Sequence, residues 1–584
     1  MHLIDWLLVV ALNGPVVIYG FWRSRNTKTS ADWFLAGRSL PWWIVGLSLY
    51  ATAIDSSDLV ADTGGTYSLG LRYFVTNWVG VVLGWVIGAH FVVLPMYRAG
   101  MYTNAEYLEA RFGPATRVLS AFVQVQYRTM VLGILAVTLY LVLAIVCDLG
   151  VYAWWAVIGI ASLATIYTAL GGLKAVVFTD AIQTVIMLIS SVALFWLCWH
   201  SIGGWNNLKS TFETHEPGLA YEMLHVGSDT IDRTPIDGKT HDEVDQLLLL
   251  GGVPDNDQKV IVHRTPAWLT AIAFMILGLS YSIVNHTQSM RMFGSRSEWD
   301  LKMSVVVAGI ILLATTFTNL MVGVIGRAMY PDPSLMPIEA SLQVRDSIYP
   351  LLVRDLTTTG LTGLVVAGVI AAIFSTFDSI GSTLSALLVR DVYARFIVRN
   401  KDDRHYLRVG QWLTPVIIFG SFLYVPFLQQ GQGMLLFYIE LAGAFVIPLL
   451  ALYLMGVFTR VNRRSGTISL LIGVCYGSLR LLSPHIAEMW GIVLLPDFLL
   501  NSYSGYLVSM VLTAGSMIIV SFIFGWESRG TLLHKESGGW LLSSQIQASQ
   551  SQPSIPTSRS EFWPALLGAC VVGIGLFLSF VVFW

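Results

Sequence analysis

Three acidic residues lie within an otherwise apolar stretch at residues 46–71. They are Asp55, Asp58 and Asp62. A charge at the centre of a membrane helix costs about 2.5–3.5 kcal/mol, so acids at this depth indicate function. We predict a helix broken near Ile54, with freed backbone carbonyls facing a cavity. The alternative is a helix that ends there and leaves the acids at the surface.

A second interruption occurs at residues 280–293, where Tyr281, Asn285, His286 and Gln288 lie among apolar residues. Counted along the predicted spans, the two interruptions are five helices apart. Paired broken helices at corresponding positions are typical of an inverted five-helix repeat with its binding site at the membrane midplane. The alternative is that the two breaks coincide by chance.

A third stretch, at residues 363–393, is rich in hydroxyl groups. Ser375 and Ser379 are four residues apart and share one helix face, with Thr376 beside them and Asp378 turned away. Hydroxyls are tolerated in a membrane helix because they can bond their own backbone, whereas a carboxyl is costly. Clustered hydroxyl and carbonyl oxygens suit a hard cation such as sodium.

Two further charges lie within apolar segments. Arg128 is inside the segment at 116–146, and Glu440 is near the start of the segment at 434–457. Arg128 either faces a cavity or extends along its helix to the cytoplasmic surface. Glu440 either faces the same cavity or lies at the outer interface.

The composition indicates a membrane setting for these residues. Of 584 residues, 55% are hydrophobic and 12% charged, with a formal net charge of −2. Soluble proteins carry about 25% charged residues, so a soluble globule and a disordered chain are excluded. Without a basic excess to neutralise phosphate, nucleic acid is not expected as a partner. The four cysteines form no CxxC pair, so they predict neither a metal site nor a disulfide framework.

Fourteen segments are long and apolar enough to cross a membrane, which takes about 20 residues. The predicted fold class is therefore an all-α polytopic membrane protein. The segments lie near residues 3–22, 41–60, 73–97, 116–146, 150–170, 176–199, 265–289, 303–326, 360–388, 408–428, 434–457, 465–482, 503–525 and 562–583.

Lysine and arginine concentrate in every second connection between these segments. Examples are Arg23, Arg111, Arg117, Arg291 and Arg464. By the positive-inside rule these connections are cytoplasmic, which places both termini outside. We expect a multi-pass protein of the plasma (inner) membrane.

Four stretches of the chain resemble the sodium/solute symporter family, and within it the sodium–glucose cotransporter branch. They are GGLKAVVFTDAIQTVIML at 171–188, GVIGRAMYPDPS at 323–334, IFSTFDSIGSTLSALLVRDVY at 373–393 and LFYIELAGAFVIPLLALYLMGVFTRVNRRSG at 436–466. The resemblance covers roughly residues 1–525. It implies a LeuT-like fold of two inverted five-helix repeats with flanking helices, and alternating access driven by a sodium gradient.

The resemblance also implies where sodium binds. The family's main sodium site uses two carbonyls on the first broken helix, with a carbonyl and two hydroxyls on the hydroxyl-rich helix. By resemblance these ligands are Ala51, Ile54, Ala372, Ser375 and Thr376. All five match in type. Asp180 matches an acid that supplies a second sodium site in some members.

The family's sugar site matches less well. Tyr281 matches the aromatic residue that shields bound sugar from the inside, and Asp58 falls at a polar sugar contact. Asn77 replaces a glutamate, Glu440 replaces a glutamine, and Gly278 stands where a bacterial galactose transporter has asparagine. The residues assigned to the solute site are Asp58, Asn77, Tyr281, Asn285, Glu440 and Arg128.

The carboxylates in this set allow three interpretations. They accept hydroxyl hydrogens from a polyol, attract a cationic solute, or bind a second cation or proton. The sugar-branch motif at 323–334 favours a sodium-coupled symporter that imports a sugar or polyol. An amino acid, amine or carboxylate solute is the alternative. A carboxylate becomes the better choice if Arg128 faces the cavity, because guanidinium pairs well with carboxylate. We expect sodium, a small polar solute and the bilayer as partners, and no obligatory protein partner.

The apolar segments and the composition between them, together with the resemblance, set the expected domain boundaries. Residues 1–525 form the transporter core, with repeats near 41–199 and 265–457. Residues 200–264 are an extracellular loop, residues 526–561 a cytoplasmic linker, and residues 562–584 a C-terminal transmembrane helix.

Two other classes of function are less well supported. A membrane enzyme is disfavoured because the chain has no HExxH motif, and a primary pump is disfavoured because it has no nucleotide-binding loop. A solute sensor that has lost transport would lack a sodium ligand or carry a signalling domain. The ligand set is intact, and the cytoplasmic connections are too short for such a domain.

Overall fold

The computed structural model describes residues 1–24, 33, 36–235, 253–255, 260–331, 345–399, 401–430, 433–490, 492, 494–528 and 560–584. Almost all of this part of the chain is helical. The helices are α1 Leu3–Ser24, α2 Trp42–Ala53, α3 Ser56–Leu69, α4 Thr76–Arg98, α5 Asn104–Phe112, α6 Pro114–Ile145, α7 Ala153–Ile202, α8 Gly204–His215, α9 Leu219–Leu224, α10 Ala267–Val284, α11 His286–Phe293, α12 Glu298–Met329, α13 Ile348–Leu356, α14 Leu361–Ile397, α15 Asp403–Gly420, α16 Val425–Gln430, α17 Met434–Phe458, α18 Ser465–Trp490, α19 Asp497–Leu500, α20 Ser502–Phe524 and α21 Phe562–Phe577.

The number of spans agrees with the prediction of about fourteen. Within the described residues, twelve helices are long and apolar enough to cross a membrane, and the bent pair α2–α3 makes thirteen. The predicted span at 150–170 corresponds to a shorter apolar helix, Gly150–Ile166. It continues into the following span through Gly172, whose φ of 63° and ψ of −175° lie in a region that only glycine adopts readily.

The first break is built by the acids that interrupt the apolar stretch. Helices α2 and α3 meet at 50°. The Asp55 side chain accepts hydrogen bonds from the amides of Ser57 and Asp58, and the Asp58 side chain accepts one from the Asp55 amide. This reciprocal cap satisfies amides that a helix start leaves free, so the acids begin α3 within the protein interior.

The second break lies at Asn285, between α10 and α11. Its side-chain oxygen accepts from the Thr287 amide at 3.0 Å. Asn104 on α5 donates to the Val284 carbonyl at 2.8 Å, and Gln124 on α6 accepts from the backbone amide that follows Asn285. Neighbouring helices thus satisfy the backbone groups that the break releases.

Helix α14 is the central element of the molecule. It packs against α7, α2, α3 and α11, and 94% of its most apolar stretch is buried. The carboxylate of Asp378 accepts a hydrogen bond from Thr168 on α7 at 2.5 Å. This leaves the hydroxyl face of α14 for the broken helix.

Three arginines that the sequence analysis assigned to cytoplasmic connections are buried in the fold. Arg111 donates to the carbonyl of Val461 at 2.7 Å, and Arg117 forms a 2.5 Å ion pair with Asp391. Arg291 is fully buried. These three side chains join helices instead of marking the membrane surface, so the orientation with both termini outside stays a prediction.

The predicted loop at 200–264 contains regular structure. Helices α8 and α9 are followed by three antiparallel strands, β1 Thr230–Pro235, β2 Val253–Asp255 and β3 Val260–Thr265, in the order β1-β3-β2. Thr230 pairs with Thr265. Most of the predicted linker at 526–561 lies outside the described residues.

Candidate functional site

The break between α2 and α3 lies directly against the hydroxyl face of α14. The Oγ of Ser375 is 3.1 Å from the carbonyl oxygen of Ala51 and 2.7 Å from Oδ1 of Asp180. The structure therefore brings together the two places that the sodium prediction requires to be in contact.

The surroundings of this contact suit a cation. Ala51, Ile54, Ala372, Ser375 and Thr376 are each at most 2% exposed. The backbone at Ile54 is extended instead of helical, and Oγ1 of Thr376 has no hydrogen-bond partner among the described residues. A buried hydroxyl without a partner needs an explanation, and a bound ion supplies one. The donor set, carbonyl and hydroxyl oxygens alone, is of the kind that hard cations prefer.

Asp180 has a second neighbour that the sequence did not reveal. Oδ2 of Asp180 lies 3.1 Å from Nη2 of Arg291, and both side chains are 0% exposed. Ser48 donates to Asp180 at 2.5 Å and accepts from Nε of Arg291 at 2.9 Å, while Ser379 accepts from Nη2. Arg291 therefore already balances the charge that a second sodium ion would use. The available signal in the sequence was that Arg291 lies less than two turns after the break at Asn285, close to the protein interior.

A cavity lies on the other side of the break. Its volume is about 50 Å³, far below the roughly 300–1,000 Å³ of a typical small-molecule pocket, so the cavity must widen to admit a solute. The lining side chains come from the end of α2, from α3, α4, α6, α10 and the first turns of α17, and from the short segments beside them: Ala53, Asp55, Ser57, Asp58, Ala61, Asp62, Tyr73, Thr76, Asn77, Val81, Arg128, Val131, Ile134, Leu277, Tyr281, Met434, Leu435 and Tyr438.

Four of the six predicted solute-site residues line this cavity: Asp58, Asn77, Tyr281 and Arg128. Asn285 does not, because its side chain caps α11. Glu440 does not either. It forms a 2.9 Å ion pair with Arg480 on α18 and accepts from Ser502 on α20. The Tyr438 side chain on α17 points toward the cavity. Glu440 follows two positions later, so its side chain points about 200° away around the same helix.

Sequence reasoning missed several lining groups. Asp55 and Asp62 share a helix face with Asp58, and Asp62 accepts a 3.1 Å hydrogen bond from Tyr73. The spacing of the three acids, which recur every three to four residues, was the signal for one shared face. Tyr438 is a further missed group, and no signal in the sequence separated it from the neighbouring aromatic residues.

Arg128 faces the cavity and does not reach the cytoplasmic surface. It is 2% exposed, and its guanidinium lies 5.7 Å from the ring of Tyr127 and 5.9 Å from the ring of Tyr281. The Tyr281 hydroxyl donates to the Thr52 carbonyl at 2.7 Å. One tyrosine thus connects the arginine, the cavity and the end of α2.

The structure explains why Gly278 carries no side chain. A Cβ at this position would lie 2.2 Å from the carbonyl oxygen of Thr76 and 2.5 Å from the amide nitrogen of Val81. Helices α4 and α10 touch through their backbones here. A polar solute contact from position 278, such as an asparagine would provide, has no space in this chain.

The roof of the cavity is held from outside the membrane spans. Met434, Leu435 and Tyr438 cover the cavity, and the amide of Met434 donates to Oδ2 of Asp346 at 3.0 Å. Gly65 allows the side chain of Leu435 to lie directly on α3. Burial of Asp346 raises the pKa of its carboxyl to about 6, although the Met434 amide opposes the rise.

Comparison with known proteins identifies the family. The model of the sodium:solute symporter family matches residues 33–473. The chain belongs to this family. The resemblance found in the sequence is thereby confirmed, and the chain is an integral membrane protein of a family of transporters.

Several curated relatives of this symporter are sugar or polyol cotransporters by name. It is 29% identical to sodium/glucose cotransporter 1 of Sus scrofa over 514 residues, which cover 82% of this chain and 72% of the relative. It is 28% identical to the sodium/myo-inositol cotransporter of Canis lupus familiaris, over 79% of this chain and 64% of the relative. Solute carrier family 5 member 4B of Mus musculus is also 28% identical, over 81% and 71%.

Solved structures show the same fold in other sodium-coupled and cation-coupled symporters. An outward-open, substrate-bound sodium-coupled sialic acid symporter superposes with a TM-score of 0.69 at 18% identity, covering 90% of this chain and 99% of that one. Mhp1, a nucleobase-cation-symport-1 family transporter in a closed conformation, superposes with a TM-score of 0.52 at 12% identity. The match covers 89% of this chain and 99% of that one. These likenesses confirm the predicted LeuT-like fold of the symporter.

Proposed function

We propose that this symporter imports a sugar or polyol across the plasma (inner) membrane, and that sodium binds at Ala51, Ile54, Ala372, Ser375 and Thr376. The observation that carries the proposal is the contact between Ser375 and the Ala51 carbonyl, at a helix break whose other side faces a cavity lined by polar side chains. Relatives named as glucose and myo-inositol cotransporters support the class of solute.

The arrangement accounts for coupling between ion and solute. Ala51 and Ile54 precede Asp55 and Asp58, which line the cavity, so one backbone break serves both sites. Sodium that bridges this break to α14 stabilises the geometry in which the cavity wall is complete. Each ligand then raises the affinity for the other by the same factor.

The cavity supplies acceptors for hydroxyl groups. Asp58 and Asp62 present carboxylate oxygens, and Asn77 adds an amide. A polyol satisfies such a set with its many hydroxyl hydrogens. A buried polar group left unmatched costs about 1–3 kcal/mol, so these side chains select for hydroxyl-rich solutes.

Uptake into proteoliposomes tests the proposed transport. Radiolabelled D-glucose, D-galactose and myo-inositol are offered with an inward sodium gradient or with potassium in its place. We expect sodium-dependent accumulation of at least one of them. Uptake that is the same in potassium, or no uptake of any neutral sugar or polyol, contradicts the proposal.

Two substitutions test the sodium site separately. Ser375→Ala and Thr376→Ala each remove one oxygen ligand, and we expect the sodium half-saturation to rise about 3- to 10-fold with little change in solute selectivity. Ser382→Ala on the same helix is the control, because the Ser382 hydroxyl donates to the Asp378 carbonyl at 2.7 Å. An unchanged sodium half-saturation in both test variants would exclude the proposed ligand set. It would not contradict the proposal that the protein transports a sugar or polyol.

A further inference from the structure

Helix α14 begins without a cap from its own sequence. Gly360 occupies the capping position with a φ of 92° and has no side chain to cap the helix. Instead, Oδ1 of Asp5 on α1 accepts hydrogen bonds from the amides of Gly360 at 2.7 Å and Gly363 at 3.0 Å. The first amides of a helix have no partner within the helix, and a carboxylate both satisfies them and complements the helix dipole. A different helix thus caps the one that carries the proposed sodium ligands.

A second polar contact joins the same two helices. Nδ2 of Asn13 on α1 donates to the carbonyl oxygen of Ala367 on α14 at 3.1 Å, and to that of Val9 on its own helix at 3.2 Å. Asn13 lies about 12 Å along α1 from Asp5. Ala367 precedes the proposed ligand Ala372 by little more than one helical turn. Two contacts at different heights fix both the height and the rotation of α14 relative to α1.

The two helices also touch through their backbones. A Cβ on Gly363 would lie 2.5 Å from Cα of Asp5 and 2.7 Å from its carbonyl oxygen. Asp5 and Asn13 are both buried. Helix α1 packs chiefly against α14 and α7, and α7 is the main neighbour of α14 and carries Asp180. Helices α1, α7 and α14 therefore form one frame, and the broken helix α2–α3 lies against it.

We propose that Asp5 and Asn13 are positioning residues for sodium. By anchoring α14 to α1, they hold the oxygens of Ala372, Ser375 and Thr376 at the height and rotation that the ion requires. The inference rests on the sodium site of the proposed function. Sodium would bind between the frame and α2–α3, so its affinity depends on how rigidly each side presents its oxygens. Residues that orient metal ligands without touching the metal affect affinity in the same way.

A role confined to folding stability makes a different prediction. A contact that only stabilises the fold, when lost, lowers the melting temperatures of the sodium-free and sodium-bound protein by the same amount. The sodium half-saturation then stays unchanged. A positioning role costs the sodium-bound state more, so the half-saturation rises and the sodium-induced increase in melting temperature becomes smaller. The relative affinities for different solutes at saturating sodium should not change, because α1 does not line the cavity.

Substitutions on both helices test the anchor. Asn13→Leu removes the donor at nearly constant size, and we expect the sodium half-saturation to rise about 3-fold, as for one hydrogen bond between membrane helices. Asp5→Leu removes the acceptor of two amides and should raise it about 10-fold. Asp5→Asn keeps an oxygen that accepts from both amides and should restore most of the affinity. Gly363→Ala forces the helices apart from the α14 side and should also raise the half-saturation.

Two measurements on the full-length protein read out these variants. The first is the sodium dependence of uptake into proteoliposomes, with labelled D-glucose, D-galactose and myo-inositol. The second is the rise in melting temperature that sodium, compared with potassium, causes in detergent without any solute. Leu7→Ala is the control on α1, because the Leu7 side chain is 60% exposed. It should leave both the half-saturation and the sodium-induced rise at their wild-type values.

The outcomes separate this inference from the proposed function. A higher sodium half-saturation in Asn13→Leu and Gly363→Ala, with unchanged solute selectivity, supports the inference. If both variants melt at lower temperature but keep the wild-type half-saturation and sodium-induced rise, the inference fails and the proposed function stands. If the sodium-induced rise becomes smaller in these variants but the wild type takes up no sugar or polyol with sodium, the inference stands and the proposed solute class fails.

Discussion

Replacing Asp180 with asparagine should destabilise the protein strongly, because it leaves the Arg291 guanidinium uncompensated in the core. Both side chains are 0% exposed and their charged atoms are 3.1 Å apart. Removing one partner of a buried pair costs about 3–5 kcal/mol. A chain of this size shifts on the order of 1 °C per kcal/mol, so the melting temperature should fall by roughly 3–5 °C.

The double variant shows whether the cost comes from the pair. Asp180→Asn and Arg291→Met are measured singly and together, by thermal unfolding of purified protein in detergent. The double variant should be no less stable than the worse single variant, because no isolated charge remains. The exposed pair Arg354 and Asp355 serves as control, and its disruption should cost less than about 1 kcal/mol.

The same variants test whether Asp180 is a sodium ligand. If Asp180→Asn melts like the wild type and its sodium half-saturation rises severalfold, Asp180 binds the ion and the ion-pair argument is refuted. If the single variant is destabilised and the double variant recovers, Arg291 is the partner of Asp180. Asp180 then contributes to the sodium site only through its 2.7 Å contact with Ser375.

Three further predictions follow from the cavity and its roof. Burial raises the pKa of Asp346 from near 3.8 to about 6, so the folded state loses about 2 kcal/mol of stability as pH rises from 4 to 6; Asp346→Asn should remove this loss, measured as the difference in melting temperature from the wild type across that range. Gly278→Ala should abolish uptake, because its Cβ would lie 2.2 Å from the Thr76 carbonyl; wild-type transport would contradict the close backbone contact. Glu440→Gln should leave the range of solutes unchanged, because Glu440 pairs with Arg480 outside the cavity; a changed uptake profile would place it in the solute path.

Most of the helical framework could be predicted from the sequence. Apolar length indicates a spanning helix, and the cost of a buried charge is a local property of the segment that carries it. For this reason Asp55 and Asn285 marked both breaks correctly. The hydroxyl face of α14 was also visible in the spacing of Ser375 and Ser379, and resemblance to the family supplied the remaining sodium ligands.

The partners of the charged residues were decided only by the tertiary structure. We interpreted Arg291 as a loop charge, because the residues near it in the sequence do not indicate that Asp180 packs beside it. We predicted Glu440 as a solute contact. The residue pattern of a helix shows the directions of its side chains relative to one another, but not which side of the helix faces the cavity. An ion pair joins residues far apart in the chain, and its existence depends on how whole helices pack. The sequence alone determined where the chain crosses the membrane and where it breaks, while packing determined which side chains those breaks bring together.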